Sequence, residues 1–187
     1  MLRAAVLAGG RSSRMGQDKA LLVHEGQTLL DRAVMLLQAT GAEQVIVSGR
    51  PDHPLGIRDV LLHCGPPGAI LSILANLDER HQLDGAPLLL IPVDMPLLQL
   101  PTLQTLLQGN IPCRGARFCN QIFPCILPAT ERLYQHLLSL FREERHLGGK
   151  RSLRSLLEFV DAVAIDDKGI AAREFLNFNT PDEWRAM

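Results

Sequence analysis

Arg3-Ala4-Ala5-Val6-Leu7-Ala8-Gly9-Gly10-Arg11-Ser12-Ser13-Arg14-Met15-Gly16-Gln17-Asp18-Lys19 is a short apolar run that stops at paired glycines and enters a basic loop. Arg3 to Leu7 reads as a buried strand. Glycine lets the backbone approach a ligand closely and adopt positive φ. Successive exposed amides then form a concavity suited to phosphate oxygens. Arg11, Arg14 and Lys19 add positive charge, and arginine can grip phosphate in bidentate fashion. The competing reading is a solvated surface turn, since glycine-rich turns often carry no ligand. The loop is not the usual phosphate loop, because Ala20 follows Lys19 where Ser or Thr would meet magnesium. Nor is it a dinucleotide fingerprint, for G-x-G-x-x-G does not occur.

Downstream, apolar runs alternate with helical periodicity. Thr28 can cap a helix whose stripe is Leu30, Ala33, Val34 and Leu37, with Gly41 as the stop. Gln44 to Ser48 is a second strand and Asp59 to His63 a third. Ile70, Ile73, Leu74 and Leu77 mark a helix. Pro87 to Val93 is almost wholly apolar, as a central parallel strand buried on both faces should be. Pro101 fits the first turn of a helix to about Gln108. A strand pair between Gly115 and Leu127 follows, then helices marked by Leu133, Leu137, Leu140 and Phe141 and by Leu153, Leu156, Leu157 and Val160. A strand at Ala162 to Ile165 and a short helix over Pro181 to Met187 complete the order. This predicts an α/β fold: one domain, three layers, a mostly parallel twisted sheet with helices on both faces. Ligands of such sheets bind at the carboxyl ends of the strands, which gathers Leu7 to Lys19 and Pro92 to Pro96 at one edge.

The 187 residues suffice for one domain with a full core, and 47% hydrophobic against 21% charged residues is an ordinary globular balance. A net charge of −1 gives no basis for sequence-independent nucleic-acid binding. Met1 to Leu7 runs straight into glycines and charges, so it reads as a core strand rather than a signal peptide. No apolar run approaches the roughly 20 residues that cross a bilayer. Cys64, Cys113, Cys119 and Cys125 lack C-x-x-C spacing. The even spacing of the last three, with His136 or His146, invites a metal reading, but buried or free thiols in a reducing, cytoplasmic compartment are the expectation.

The segment Leu7-Ala8-Gly9-Gly10-x-Ser12-x-Arg14-Met15-Gly16-x-Asp18-Lys19-x-Leu21 resembles the signature of the molybdenum cofactor guanylyltransferase family. Pro92-Val93-Asp94-Met95-Pro96 is similar to that family's aspartate segment after the central strand. Asn177-Phe178-Asn179-Thr180-Pro181 is similar to its C-terminal Asn-x-Asn-Thr-Pro stretch. The loop is shared across the wider nucleotidyltransferase superfamily; the C-terminal stretch narrows the likeness to the molybdopterin branch. Gly9-Gly10 resembles the guanylyl-transferring form, whereas related cytidylyltransferases tend to carry Ala before the second Gly.

The resemblance implies GTP and molybdopterin as substrates, pyrophosphate as product, and transient contact with molybdopterin-carrying and molybdoenzyme-loading proteins. It implies a nucleotide-binding half over about residues 1–97 and an acceptor-binding half over about 98–187. Arg14, Lys19 and Asp94 would be catalytic, with Leu7, Ala8, Gly9, Gly10, Ser48, Lys19 and Asp94 around the nucleotide. A carboxylate at Asp94 can hold Mg²⁺, a hard cation that prefers oxygen ligands; its alternative is a turn or cap role before Pro96. Lys19 would neutralise charge as pyrophosphate leaves, or else be a surface lysine. Arg14 would share that task, an ion pair with Asp18 being its competitor. Asn177 and Asn179 would face one side of an extended segment and meet the acceptor, or fix a turn before Pro181. Arg151 and Ser152 stand at a helix start that could take the acceptor phosphate or simply be capped.

Two departures from the family pattern stand out. Ser48 occupies the place of a frequent Asn after the second strand. The region Leu62 to Ile70 is shorter than the family's Gly-Pro-Leu-Ala-Gly neighbourhood and lacks its preceding aspartate, with His63 or Cys64 nearby. Asp59 is too early to substitute unless the loop folds back. Transfer of another base, transfer to a sugar phosphate, and a non-catalytic nucleotide-binding role remain as rivals to guanylyl transfer.

Overall fold

In the computed structural model, residues 1–9, 18–142, 151–178 and 183 are described. The opening strand β1 (Arg3–Leu7) is buried along its whole length. It lies between β4 (Gln44–Ser48) and β6 (Asp84–Pro92), parallel to both. The hairpin β2 (Val23–His24) and β3 (Gln27–Thr28) stands apart as a small antiparallel pair. Beyond β4 comes β5 (Gly56–Ile57); beyond β6 come β8 (Cys125–Thr130), β7 (Ala116–Phe118) and β9 (Val163–Ile165). The order β5-β4-β1-β6-β8-β7-β9 makes one seven-stranded sheet, parallel except where β8 runs against β6 and β7.

The alternation of side chains along β1 and β6 builds a core on each face. Ala5, Leu7, Leu88 and Leu90 face α2 (Gly65–Glu79), α4 (Glu131–Arg142) and α5 (Leu153–Phe159). Ala4, Val6, Leu89 and Ile91 face α1 (Leu29–Ala39) and α3 (Leu100–Gln108). Thr28 caps α1 by accepting from the Asp31 amide at 3.0 Å. Its stripe of Leu29, Leu30, Ala33, Val34 and Leu37 is buried, each leucine contributing about 2 kcal/mol relative to exposure. Gly41, at φ 81°, ends it. The α/β expectation therefore holds, with helices on both sides of a mostly parallel sheet.

The strand expected over Asp59 to His63 does not form. Gly56–Ile57 takes the edge position beside β4 instead, and the following residues bend back over the strand ends. Two side-chain bonds hold the bend: Ser48 Oγ donates to Asp59 Oδ1 at 2.7 Å, and the Val60 amide donates to Ser72 Oγ at 2.9 Å. Val60 and Leu62 are left exposed, and His63 sits at φ 61°, outside the strand region.

The C-terminal segment is tied across the sheet end. A turn at Ala172–Phe175 buries Glu174, whose Oε2 accepts from the Gln99 amide at 3.2 Å and from Thr102 Oγ1. It thereby caps α3, whose own N-cap Gln99 offers no side-chain bond. Phe175 meets Phe118 edge-on at 5.4 Å. The helix expected over Pro181 to Met187 lies, apart from Glu183, outside the described residues.

Candidate active site

The strand register brings Leu7, Ser48 and Pro92 into one row at the carboxyl ends of β1, β4 and β6. Beyond that row lies a cleft of about 370 Å³, lined among others by Gly9, Lys19, Asp59, Asp94, Phe123 and Asn177. The segments read from sequence as the chemical edge thus meet. The Val93 amide bonds Leu7 O at 3.2 Å, which sets the start of the Asp94 turn against the end of β1. The Phe178 amide donates to Asp94 O at 3.0 Å, which brings Asn177 to the cleft wall.

Lys19 and Asp94 form the centre. Nζ lies 3.3 Å from Oδ2, and the side chains are 17% and 21% exposed. This is a long contact at the wall of the cleft, where a triphosphate can share the ammonium group. Lys19 opens a 3-10 turn, Lys19–Leu21, whose N-cap is Asp18. Asp18 Oδ1 accepts from the Ala20 amide at 3.1 Å, and both its oxygens are gripped by the Arg50 guanidinium. The hydrogen bonds from Arg50 hold the Asp18 carboxyl below the ordinary aspartate range, against the opposing effect of burial.

Asp59 also lines the cleft, against Gly9. A Cβ added to Gly9 would come within 2.5 Å of Asp59 Oδ2, and one on Gly49 within 2.5 Å of Gly9 Cα. Glycine is required at Gly49, which faces backbone and sits at φ 77°, while a side chain at Gly9 would displace the Asp59 carboxylate. Asp59 thus corrects the expectation that no aspartate reaches this region: the loop does fold back. Ser48 is fully buried, and its hydroxyl serves the Asp59 carboxylate. It supports the cleft from behind rather than lining it.

Leu7, Ala8, Gly9, Lys19, Asp94 and Asn177 all line the cleft. Gly10, Arg14 and Asn179 lie outside the described residues. Arg151 and Ser152 are not brought to it. Arg151 Nε donates to Leu140 O at 2.9 Å and its guanidinium stands over the Phe141 ring. The Ser152 hydroxyl is used in a capping box with Ser155 at the start of α5. Sequence reading missed Arg50 and Phe123 at the site and admitted Asp59 only if the loop folded back; for Asp59, an acidic residue shortly after a strand end on the carboxyl edge was the available signal.

A family model for the MobA-like NTP transferase domain matches residues 4–163. The chain belongs to this family. Membership makes it a nucleotidyltransferase. It is 38% identical over 182 residues to the molybdenum cofactor guanylyltransferase of Xanthomonas euvesicatoria pv. vesicatoria, covering 97% of this chain and 92% of that one. The Sinorhizobium fredii protein of the same name is 31% identical over 203 residues, covering 96% and 87%. Among solved structures, a nucleotidyl transferase from Methanothermobacter thermautotroptrophicus superposes with TM-score 0.71 at 16% identity, covering 100% and 95%. Molybdopterin-guanine dinucleotide biosynthesis protein A from Archaeoglobus fulgidus gives 0.69 at 20% identity, covering 98% and 95%. These two likenesses concern the fold alone.

The donor chemistry suits a hard cation. Asp94 offers carboxylate oxygens beside the lysine, and among the described residues no cluster of three or more His, Cys, Asp or Glu forms a ready-made metal cage. One carboxylate completed by substrate phosphates and water is the usual manner of Mg²⁺. The cysteine cluster weighed from sequence does not assemble: Cys113 and Cys119 are exposed, Cys125 is buried, and His146 lies outside the described residues. Among the described residues no helix is long and apolar enough to cross a membrane.

Proposed function

We propose that the protein transfers GMP from GTP to molybdopterin, forming the guanine dinucleotide cofactor and releasing pyrophosphate, with Mg²⁺, in the cytoplasm. The observation that carries the reading is the presence in one cleft of Asp59, set against Gly9, and the Lys19–Asp94 pair. The relatives named molybdenum cofactor guanylyltransferase support the choice of substrates.

The guanine edge presents N–H donors, including the N2 amino group. An Asp59 carboxylate, already oriented by Ser48, accepts from such donors and disfavours bases that turn acceptors toward it. Lys19 binds the triphosphate and offsets the charge that grows on the departing pyrophosphate. Asp94 would hold Mg²⁺, which when bound would supply further charge neutralisation and alignment of the phosphates. The molybdopterin phosphate is ionised at neutral pH, so no general base is needed. Its oxygen attacks the α-phosphorus of GTP in line; the bond to the β-phosphate oxygen breaks, and its electron pair leaves with pyrophosphate. Asn177 borders the acceptor side of the cleft. Delivery of molybdopterin by a carrier protein, and hand-over of the product to a molybdoenzyme-loading protein, complete the reading.

The test is pyrophosphate release from purified protein with Mg²⁺, molybdopterin and GTP, CTP, ATP or UTP in turn. Release with GTP is expected, and Asp59→Asn should lower kcat/KM for GTP about 10- to 100-fold by replacing an ionic acceptor. Release with CTP in preference would reassign the base. No release with any nucleotide would refute transferase activity on this acceptor.

A further inference from the structure

Arg50 touches both feet of the glycine-rich loop. Its Nε donates to the Ala8 carbonyl at 3.4 Å, where β1 leaves the sheet. Its two terminal nitrogens grip both oxygens of Asp18, where the chain returns. The arginine's own backbone is pinned. Its amide donates to Ile57 O at 3.2 Å and its carbonyl accepts from the His53 amide at 3.0 Å. The turn is so tight that a Cβ on Gly56 would stand 1.6 Å from the Arg50 carbonyl oxygen. A fixed base with a rigid, forked head is the geometry in which arginine cannot be replaced by lysine.

The carboxylate that Arg50 grips is also the cap of the turn that carries Lys19, through the bond from the Ala20 amide. Asp18 lines the cleft, yet its oxygens are committed to Arg50 and Ala20. Its place in the cleft is therefore as an anchor. Rotating Asp18 would swing the turn and lengthen the 3.3 Å contact of Lys19 with Asp94. We propose that Arg50 is a positioning residue for nucleotidyl transfer: by joining the two feet of the loop it sets Lys19 where the triphosphate must pass. This rests on the transferase reading above.

The test compares wild type with Arg50→Ala, Arg50→Lys, Asp18→Asn and the Arg50→Ala/Asp18→Asn double variant. A small displacement at a reacting centre is worth up to about 100-fold, so Arg50→Ala is expected to lower kcat about 30-fold while KM for GTP moves less than about three-fold. Arg50→Lys, which keeps charge but not the fork, should recover only a minor part. The double variant should be no worse than the poorer single one, since both remove the same link. Amide exchange at Ala20, Leu21 and Leu22 should quicken in Arg50→Ala while that of β1 and β6 stays unchanged, which separates loosening of this turn from unfolding. An active wild type with Arg50→Ala of equal kcat, or losses that multiply in the double variant, would overturn the role alone. Unchanged exchange at those amides would overturn the link between Arg50 and the turn, whatever the substrate. A wild type inactive with every nucleotide would refute the transferase reading, and this role with it.

Discussion

The two ends of β1 carry ion pairs of opposite character. At the amino end, Arg3 is 1% exposed and binds Asp84 through both carboxylate oxygens, at 2.6 and 2.8 Å. At the carboxyl end, Lys19 reaches one oxygen of Asp94 at 3.3 Å, at the wall of a cleft. The first pair is short and forked; it joins β1 to β6. The second is longer and lines the cleft, within reach of a ligand. Substituting the forked pair should alter stability and leave turnover alone, and the cleft pair should do the reverse.

The largest effect is expected at Asp94. Asp94→Ala should reduce Mg²⁺-dependent pyrophosphate release by about 100- to 1000-fold, with a thermal midpoint within a few degrees of wild type. Survival of more than about a tenth of the activity, a loss of only about 1.4 kcal/mol in barrier, would remove Asp94 from the metal role. Next comes Lys19→Ala, which should cost about 100-fold in kcat and markedly less in GTP affinity. Equal losses in kinetics and binding would make Lys19 a binding residue only.

The forked pair is tested by Asp84→Asn. Breaking a buried pair costs roughly 3–5 kcal/mol, but the Asp84 side chain is 47% exposed, so screening reduces the expected loss to about 2 kcal/mol. Turnover at neutral pH should not change. The Arg3 hydrogen bonds hold the Asp84 carboxyl far below the ordinary range. A lowered folded pKa gives stability that is present above the unfolded value, near 3.9, and is lost as pH falls below it. Wild type should therefore lose stability more steeply than Asp84→Asn below about pH 4 in acid denaturation. Parallel acid limbs would mean that the pair contributes no pH dependence. The smallest effect is expected from Glu174→Gln, which weakens the cap on α3 by about 1 kcal/mol. It should be read in the urea midpoint, with an unchanged midpoint showing that the cap is redundant.

The same contrast explains what could be read from the chain. β1, α1 and β6 follow from local pattern: an unbroken apolar run, a 3.6-residue stripe behind Thr28, and a second apolar run ending at Asp94. The Lys19–Asp94 meeting follows from the rule for strand ends, once those strands are parallel neighbours. Val60-Leu61-Leu62 misled because an apolar run reads as a strand whether or not a sheet edge is free for it, and here Gly56–Ile57 holds the edge. Spacing alone places Asp59 too early unless the loop folds back. What brings it to the cleft is one hydroxyl on β4 and another on α2, which no local pattern announces. Arg50 was missed for a similar reason, since both its partners lie far away in sequence.

Gly9 and Gly49 bring two neighbouring strand ends closer than any side chain permits. That corner of the protein therefore has little vocabulary: a side chain at Gly49 would push the backbones apart, and one at Gly9 would displace the Asp59 carboxylate. Under the proposed reading, the choice of base is left to the folded-back segment that carries Asp59 and His63, a stretch that is neither strand nor helix.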